Sequence, residues 1–331
     1  MVDIAGKKVL VTGAHGFVAG HLIERLTDAG ATVVGVDLWL LRQSYLNMSP
    51  AIRRTDLIEC DIANLQEVQE LFDEHQPQVV LHLAAQADVT RALANPLGTF
   101  EANVRGTYIL LECARRLWKG DEDTPHAMVV ASSDKAYGKH LHLPYREDDE
   151  LLGLYPYDVS KACADMIARG YHRAYGLPLG VVRCANIYGP GDLNFNRIMP
   201  GTFRSLLRGE RPVIRSDGKP LRDYMFVGDA VDGYMRVMHA LLDGNHGGEA
   251  FNFGTGEPVS VLQIFREMAA VAERPDLEPE VLGEASQELQ DQFISSAKAR
   301  RLLGWQTLVP RHEGLRRTFR WYNDKLPELE A

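Results

Sequence analysis

The chain has 331 residues, of which 45% are hydrophobic, enough to build a large core in one wide α/β unit or in two domains. Its 45 acidic and 36 basic residues give a net charge of −9, and the sequence contains no basic block of the kind that binds nucleic acid. The N-terminus lacks the basic and long apolar regions of a signal peptide, and nothing approaches the roughly 20 apolar residues of a membrane span. These features predict a cytoplasmic protein with neither a nucleic-acid nor a membrane partner.

The four cysteines lie far apart and show no metal-ligand spacing. Three of the four occur in apolar segments, which predicts small buried side chains rather than disulfides or metal ligands. We therefore expect a reduced protein without a metal site. The cysteines are Cys60, Cys113, Cys163 and Cys184.

Short apolar runs alternate with longer amphipathic segments through the first half of the chain. The predicted strands are Lys8–Thr12, Thr32–Val36, Leu57–Cys60, Val79–Leu83, Met128–Ala131 and Gly180–Cys184. The helices predicted between them are His21–Ala29, Leu65–His75, Leu97–Trp118 and Val159–Tyr175. Continuous hydrophobic strands are typical of a sheet covered on both faces. The alternation predicts an α/β fold with a doubly wound parallel sheet of the Rossmann type.

Proline and glycine become frequent after about Asn186, and the strand–helix rhythm loosens there. Further helices are predicted at Asp229–Leu242, Val261–Ala272 and His312–Asn323. We predict one domain over residues 1–186, with a segment near 224–255 returning to it. Residues 187–331 are then mainly a smaller C-terminal lobe at the carboxyl edge of the sheet, where open α/β sheets bind ligands.

The segment "VLVTGAHGFVAGHL" joins the first strand to the first helix and carries a glycine turn. Gly13 and Gly16 permit close backbone approach, and the helix N-terminus offers N–H groups to a pyrophosphate. Asp37 ends the second strand about 20 residues further on, as in dinucleotide-binding units. An acid there accepts hydrogen bonds from both ribose hydroxyls and repels a 2′-phosphate, which favours NAD over NADP.

Asp61 and Ile62 directly follow the third predicted strand, where they are expected to contact the adenine of the dinucleotide. The alternative is that Asp61 caps the helix that begins near Asn64.

Tyr157 and Lys161 are four residues apart on a predicted helix and therefore share a face. An ammonium beside a phenol stabilises the phenolate and lowers its pKa from about 10. Such a phenol can remove a proton from a sugar hydroxyl. The pair comes after the glycine turn and after a strand that runs into Ser133.

Seven motifs in a fixed order carry a family resemblance. They are "TGAHGFVAGHL", "HLAAQADV", "NVRGTYILLECA", "SSDKAYG", "YPYDVSKA", "RCANIYGPG" and "RDYMFVGDAV", and the resemblance they carry covers about residues 7–255. The sequence resembles an extended short-chain dehydrogenase/reductase, in the NAD-dependent nucleotide-sugar epimerase/dehydratase branch.

The resemblance implies NAD as cofactor and a nucleotide-diphosphate sugar as substrate. It also implies a homodimer through the helices predicted at Leu97–Trp118 and Val159–Tyr175. Tyr157 is then the general base, Lys161 binds ribose and tunes Tyr157, and Ser133 bonds the reacting oxygen. The implied cofactor-binding residues are Gly13, Gly16, Phe17, Val18, Asp37, Asp61, Ile62, Leu83, Ala84, Ala85 and Asn103, with Tyr157 and Lys161. The implied substrate-binding residues are Asn186 and Arg222 at the diphosphate, with Arg197 expected to touch phosphate.

The residues after Ser133, Asp134 and Lys135, bear on the reaction. Sugar epimerases of this family usually carry small neutral residues there, whereas 4,6-dehydratases carry a titratable pair, and Asp-Lys resembles the CDP-glucose 4,6-dehydratase type. That resemblance implies oxidation at C4, loss of water across C5 and C6, and return of hydride to C6. Asp134 is then the acid toward the C6 oxygen, which requires burial to raise its pKa. Lys135 is the C5 base or steers another base.

Two other interpretations stay open. An NAD-dependent nucleotide-sugar epimerase shares the C4 oxidation and lacks the elimination, and the motif "RDYMFVGDAV" is closer to its version. A non-catalytic dinucleotide sensor on the same scaffold would be expected to lose the set of Tyr157, Lys161 and Ser133, which this chain keeps.

Overall fold

The computed structural model describes residues 2–121, 123–284 and 290–330. Its centre is a seven-stranded sheet whose strands are all parallel, in the order β11-β6-β5-β4-β1-β2-β3. The strands are β1 Lys8–Thr12, β2 Thr32–Asp37, β3 Thr55–Glu59, β4 Val79–His82, β5 Ala127–Ala131, β6 Leu179–Cys184 and β11 Ala250–Phe253. The predicted doubly wound α/β fold of the Rossmann type is confirmed.

Helices cover both faces of this sheet. In chain order the helices are α1 Phe17–Asp28, α2 Tyr45–Met48, α3 Leu65–His75, α4 Val89–Ala94, α5 Pro96–Phe100, α6 Gly106–Leu117, α7 Pro156–Tyr175, α8 Ile198–Arg208, α9 Val227–Leu242, α10 Val261–Val271, α11 Ala297–Leu303 and α12 Arg311–Leu329. Apolar side chains of α1 and α9 pack with one face of the sheet, and those of α3 and α6 with the other. Burial on both faces explains why the strand sequences are continuously hydrophobic.

Several helices differ in extent from the sequence prediction. Helix α1 begins at Phe17, four residues early, because Gly16 already serves as its N-cap. Helix α7 begins at Pro156, since proline suits the first helical turn. The single helix predicted over Leu97–Trp118 consists of α5, a π-helical turn at Glu101–Arg105, and α6. Periodicity alone does not separate these because their apolar pattern continues across the π turn.

Beyond β6, small sheets build the second half of the chain. Strand β7 (Asn186–Tyr188) pairs with β10 (Tyr224–Phe226), and β8 (Val213–Ile214) pairs with β13 (Glu280–Val281). Strand β9 (Leu221–Arg222) lies between β12 (Val259–Ser260) and β14 (Asp291–Gln292). Helices α8, α10 and α12 pack against one another beside them. One hydrophobic core runs through both halves, and the division at residues 186 and 187 stays a prediction. Within the described ranges, no helix is both long and apolar enough to span a bilayer.

The order of the sheet reverses at β1, which lies between β2 and β4. Crossovers therefore leave in opposite directions and open a crevice at the carboxyl ends of β1 and β4. The end of β1 is joined to both neighbouring strands: Gly13 N–H donates to the Val36 carbonyl of β2 at 2.7 Å, and Ala84 N–H, after β4, donates to Thr12 Oγ1 at 3.1 Å. The crevice is where the candidate site lies.

Candidate active site

The glycine turn after β1 has the geometry of an anion cradle. Gly13 has φ +74°, and Gly16 N–H donates to the Gly13 carbonyl at 2.8 Å. No side chain caps the N-terminus of α1, and its first turn carries no acidic residue. The first N–H groups of the helix are thus left to bind a diphosphate. Phe17 and Val18, both half-buried, form the first residues of this helix.

Asp37 ends β2 beside this turn and is anchored to it. Its Oδ2 accepts the His15 N–H at 2.9 Å and its Oδ1 accepts the Leu38 N–H at 2.9 Å. Burial raises the pKa of Asp37, and the two backbone hydrogen bonds oppose that rise. Each carboxylate oxygen retains a lone pair for a ribose hydroxyl. This donor and acceptor set fits NAD.

Asp61 and Ile62, which follow β3, differ in their exposure to solvent. Asp61 is exposed, and its Oδ1 accepts the Ala63 N–H at 2.9 Å. Ile62 is buried against Gly106 of α6. The N-cap of α3 is Asn64 itself, whose side chain accepts the Gln66 N–H, so the suggestion that Asp61 is that cap is wrong. A contact of Asp61 and Ile62 with adenine stays a prediction.

The segment after β4 is held by a buried asparagine. Asn103 Oδ1 accepts the Gln86 N–H at 2.7 Å, and its amide donates to the Gln86 carbonyl at 3.0 Å and to Ser160 Oγ at 2.9 Å. Ser160 Oγ in turn donates to the Tyr157 carbonyl at 2.7 Å. Asn103 therefore ties the cofactor side of the crevice to the helix that carries the tyrosine. Leu83, Ala84 and Ala85 are half-buried along this segment.

Tyr157, Lys161 and Ser133 come together as the sequence predicts, and both residues of the helical pair are buried. Lys161 Nζ donates to the Ala131 carbonyl at 2.9 Å, and burial lowers its pKa to about 8, which leaves it charged at neutral pH. Burial raises the pKa of Tyr157 to about 12, against a charge from Arg197 and a hydrogen bond with Ser133. The pKa of Tyr157 is thus raised from its usual value near 10, and not lowered as the spacing of Tyr157 and Lys161 predicts, because burial outweighs the neighbouring charge and hydrogen bond.

Asp134 opens a short 3₁₀ turn, Asp134–Tyr137, directly after Ser133. Its side chain is only 2% exposed. Ser133 Oγ donates to Oδ1 at 3.0 Å, whereas Oδ2 has no hydrogen-bond partner among the described residues. Burial raises the pKa of Asp134, and the charges of Lys135 and Arg222 and the Ser133 hydrogen bond only oppose that rise. The site thus holds a carboxyl group that is protonated more readily than an exposed aspartate.

Lys135 contacts the second half of the chain. Its Nζ donates to Gln292 Oε1 at 3.1 Å, and its charge lowers the pKa of Asp158, which burial raises. No motif marks Gln292, because it lies 157 residues from its partner. The contact joins the 3₁₀ turn Asp134–Tyr137 to β14 and hence to β9, which carries Arg222.

The three predicted substrate residues lie on different elements. Asn186 begins β7, and its amide donates to the Asp223 carbonyl at 3.3 Å. Arg222 is buried in β9, and its charge reaches Asp134. Arg197 precedes α8, and its charge reaches Tyr157. All three contact or electrostatically affect residues around the crevice, and their binding of diphosphate stays a prediction.

A buried hydrogen-bond network holds the 3₁₀ turn Asp134–Tyr137, and no local sequence motif predicts this network. Arg183 donates through Nε to Asp165 Oδ2 at 2.7 Å and through Nη1 to the Tyr137 hydroxyl at 2.6 Å. The Tyr137 hydroxyl donates to Asn252 Oδ1 at 2.7 Å. The network links β6, α7, the 3₁₀ turn and β11. Because Tyr137 and Asp134 belong to the same turn, it also holds the backbone of Asp134 in place.

His82, the histidine inside β4, is a core residue. Its ring nitrogens are hydrogen-bonded to the hydroxyls of Thr12 at 2.8 Å and Thr107 at 2.9 Å. Burial lowers its pKa to about 3, so it stays neutral.

Gly13→Ala tests the cradle. A Cβ at Gly13 would lie 2.8 Å from the Ala84 nitrogen in a backbone conformation that alanine rarely adopts. We expect a loss of about 1–3 kcal/mol of unfolding free energy from backbone strain alone, and loss of NAD binding. The matched control is Gly6→Ala, which has φ +73° but nothing within 4 Å of its Cβ. Urea unfolding with and without NAD distinguishes the two, and unchanged NAD affinity in Gly13→Ala would contradict the cradle.

The family model described as "NAD dependent epimerase/dehydratase family" matches residues 9–254. The chain belongs to this family. It is therefore an enzyme with NAD as cofactor, and the glycine turn and Asp37 provide a site that fits it.

Similar proteins include both kinds of enzyme in the family name. A UDP-glucose 4-epimerase of Mycolicibacterium smegmatis is 32% identical, with 96% of this chain and 99% of the relative covered. A dTDP-glucose 4,6-dehydratase of Salmonella typhimurium is 29% identical, with 95% and 92% covered. The solved UDP-glucose 4-epimerase of Thermotoga maritima, with UDP-glucose, superimposes with a TM-score of 0.87 at 28% identity, covering 96% of this chain and 99% of that one. Overall similarity does not distinguish epimerisation from dehydration, so the distinction has to be argued from the site residues.

Proposed function

We propose that this enzyme catalyses the 4,6-dehydration of a nucleotide-hexose, with CDP-glucose as substrate and CDP-4-keto-6-deoxyglucose as product. The observation that carries the proposal is the Asp134 carboxyl. It is buried beside Ser133, keeps one oxygen without a partner among the described residues, and has a raised pKa. A proton donor of that kind is needed to expel the C6 hydroxyl as water, and an epimerase has no such step.

Each residue of the site has a separate role in the proposed dehydration. Tyr157 takes the proton of the C4 hydroxyl, while Ser133 holds the same oxygen and Lys161 keeps a positive charge in the crevice. NAD held by the glycine turn and Asp37 would supply a hydride acceptor for oxidation at C4 and a hydride donor for reduction at C6. The resulting C4 ketone acidifies the C5 proton, which a base removes while Asp134 protonates the departing C6 oxygen. A proton returned to C5 completes the loss of one water with no net oxidation.

Lys135 supports the elimination in one of two ways. It is the base that removes the C5 proton, or its charge holds another base in place. Its contact with Gln292 and its effect on Asp158 support the second role, because the Nζ group already donates to an amide oxygen and its charge acts on a neighbouring carboxyl group.

The choice of CDP-glucose rests on the Asp134–Lys135 doublet, which resembles the CDP-glucose dehydratase type. The test is incubation of the NAD-loaded protein with CDP-, dTDP-, UDP- and GDP-glucose, each at the same concentration. We expect CDP-glucose to give the fastest formation of a product with the alkaline absorbance of a 4-keto-6-deoxy sugar. Faster reaction with another nucleotide would overturn the CDP assignment and leave dehydration standing.

A nucleotide-sugar epimerase is the second candidate. It is supported by the 32% identity to the UDP-glucose 4-epimerase of M. smegmatis and by the motif at Arg222–Val231. In that case Tyr157 takes the C4 hydroxyl proton as above, and the cofactor would supply the hydride acceptor and then return the hydride to the opposite face of C4. A product of unchanged mass in the same incubation would establish this reaction.

The enzyme is also proposed to act as a homodimer through α5, α6 and α7. Leu97, Met166 and Tyr175 on these helices are 71%, 59% and 60% exposed, although they are large and apolar or aromatic. Removing such side chains from water is favourable in proportion to their area. A second copy of the same helices would cover them.

Charged side chains in this surface are expected to break the dimer. Light scattering should give the mass of two chains for the wild type and of one chain for the double variant Leu97→Glu and Met166→Glu. The control Leu308→Glu changes a leucine that is 63% exposed outside these helices, and should remain a dimer. A single-chain mass for the wild type would refute this arrangement.

A further inference from the structure

The side chain of Gln292 links the candidate active site to a small sheet in the second half of the chain. It is 2% exposed, and its Oε1 accepts a hydrogen bond from Lys135 Nζ at 3.1 Å. An ammonium has only donors, so the amide must present its oxygen to the lysine. Among the described residues no carboxylate lies close enough to Lys135 for an ion pair, so this amide is the group that orients it.

The backbone around Gln292 is held by two other segments. In β14, Gln292 pairs with Arg222 of β9 in parallel register, and Arg222 Nη1 donates to the Gln290 carbonyl at 3.0 Å. One residue further on, the Phe293 carbonyl accepts the Tyr145 N–H at 3.0 Å. A buried side chain on a backbone fixed in this way holds its partner at one position.

An amide suits this position because it carries no charge. It orients the ammonium of Lys135 and leaves the positive charge free to act on the sugar or on a neighbouring carboxyl group. A carboxylate in the same place would form an ion pair with the lysine, favour its ammonium form and offset its charge. Such a pair would weaken Lys135 both as a base and as a charge that steers another base.

We propose that Gln292 is the positioning residue of Lys135 in the elimination of water. The inference rests on the proposed dehydration and on the proposed part of Lys135 in it. Gln292 acts only through the lysine, after oxidation at C4, when the C5 proton is removed. It touches neither the sugar nor the cofactor in this role.

The kinetic test compares the wild type, Gln292→Leu and Gln292→Glu on whichever of the four nucleotide glucoses is dehydrated. Product formation should fall by about 10- to 100-fold in both variants, as expected for a misplaced catalytic group. The rise of reduced nicotinamide in the first turnover should keep its wild-type rate. The control is Gln263→Leu, an exposed glutamine of α10, which should match the wild type in both measurements. Loss of the oxidation together with the elimination would overturn the inference and leave Gln292 as a support of the fold.

Removing the lysine should remove the effect of the glutamine. In a Lys135→Met background, Gln292→Leu should cause no further loss of product formation, because residues that act through one another are not additive. Losses that multiply would show that Gln292 acts independently of Lys135, and would contradict the proposal.

A further measurement needs no sugar. The NAD-loaded protein is treated with acetic anhydride, and acetylation of Lys135 is followed by mass spectrometry, with the exposed Lys139 as internal reference. Lys135 should react about 3- to 10-fold faster in Gln292→Leu, because a hydrogen bond of ordinary net strength is lost, and no faster than wild type in Gln292→Glu. Equal rates in Gln292→Leu and wild type would refute the positioning role. If none of the four sugars is dehydrated, the proposed function fails, while the acetylation still reports whether Gln292 holds Lys135.

Discussion

Tyr157→Phe is expected to lower turnover of the nucleotide sugar by about 10³-fold while NAD binding is preserved. The phenol is buried beside Ser133 and is the proposed acceptor of the C4 hydroxyl proton, and general base catalysis contributes about 10²–10⁴-fold. Phenylalanine keeps the ring and its packing and removes only the hydroxyl. Steady-state kinetics and NAD binding by fluorescence, on the same preparation, measure the two effects separately.

The matched control is Tyr175→Phe, at the other end of the same helix, which removes a hydroxyl outside the crevice and keeps the ring in the proposed dimer surface. It should retain wild-type turnover. If Tyr157→Phe kept most of its rate, another group would have to be the base, and the assignment of the whole site would fail.

Asp134→Asn is expected to leave the oxidation intact and stop the reaction before water is lost. The asparagine has nearly the same shape but cannot donate a carboxylic proton to the C6 oxygen. Product formation should fall by about 10²–10⁴-fold, and reduced nicotinamide should accumulate on the enzyme within the first turnover. Rapid mixing with substrate, followed by the absorbance of the reduced cofactor, records this accumulation.

The comparison is Asp148→Asn, an exposed aspartate of the following loop, which should behave as the wild type. Loss of the oxidation itself in Asp134→Asn would show that the carboxyl supports Tyr157 rather than the elimination. Equal rates for variant and wild type would remove the main observation in favour of dehydration.

The architecture was predictable because its determinants are local. Six continuous hydrophobic runs identified six of the seven strands of the sheet, within one or two residues at each end. The sequence does not identify β11, since its residues Ala-Phe-Asn-Phe include Asn252, whose buried side chain is paired with the Tyr137 hydroxyl and the Tyr145 carbonyl. Such a contact joins residues 115 positions apart, and periodicity within a segment does not report on it.

The active site shows the same limit. Tyr157, Lys161 and Ser133 follow from spacing and motif, and the structure brings them together. The burial of Asp134 does not follow from its sequence, because an Asp-Lys pair at a strand end is equally typical of a solvated turn. Its burial depends on the network around Arg183 and on β9, which come from distant parts of the chain. The partner of Lys135 is distant for the same reason.

The most direct test of 4,6-dehydration is the mass of the product formed from CDP-glucose in heavy water. We predict a product lighter than the substrate by one water and carrying one deuterium on carbon, because the C5 proton is exchanged with solvent during the elimination. A product of unchanged mass without deuterium on carbon would contradict the proposal and identify an epimerase.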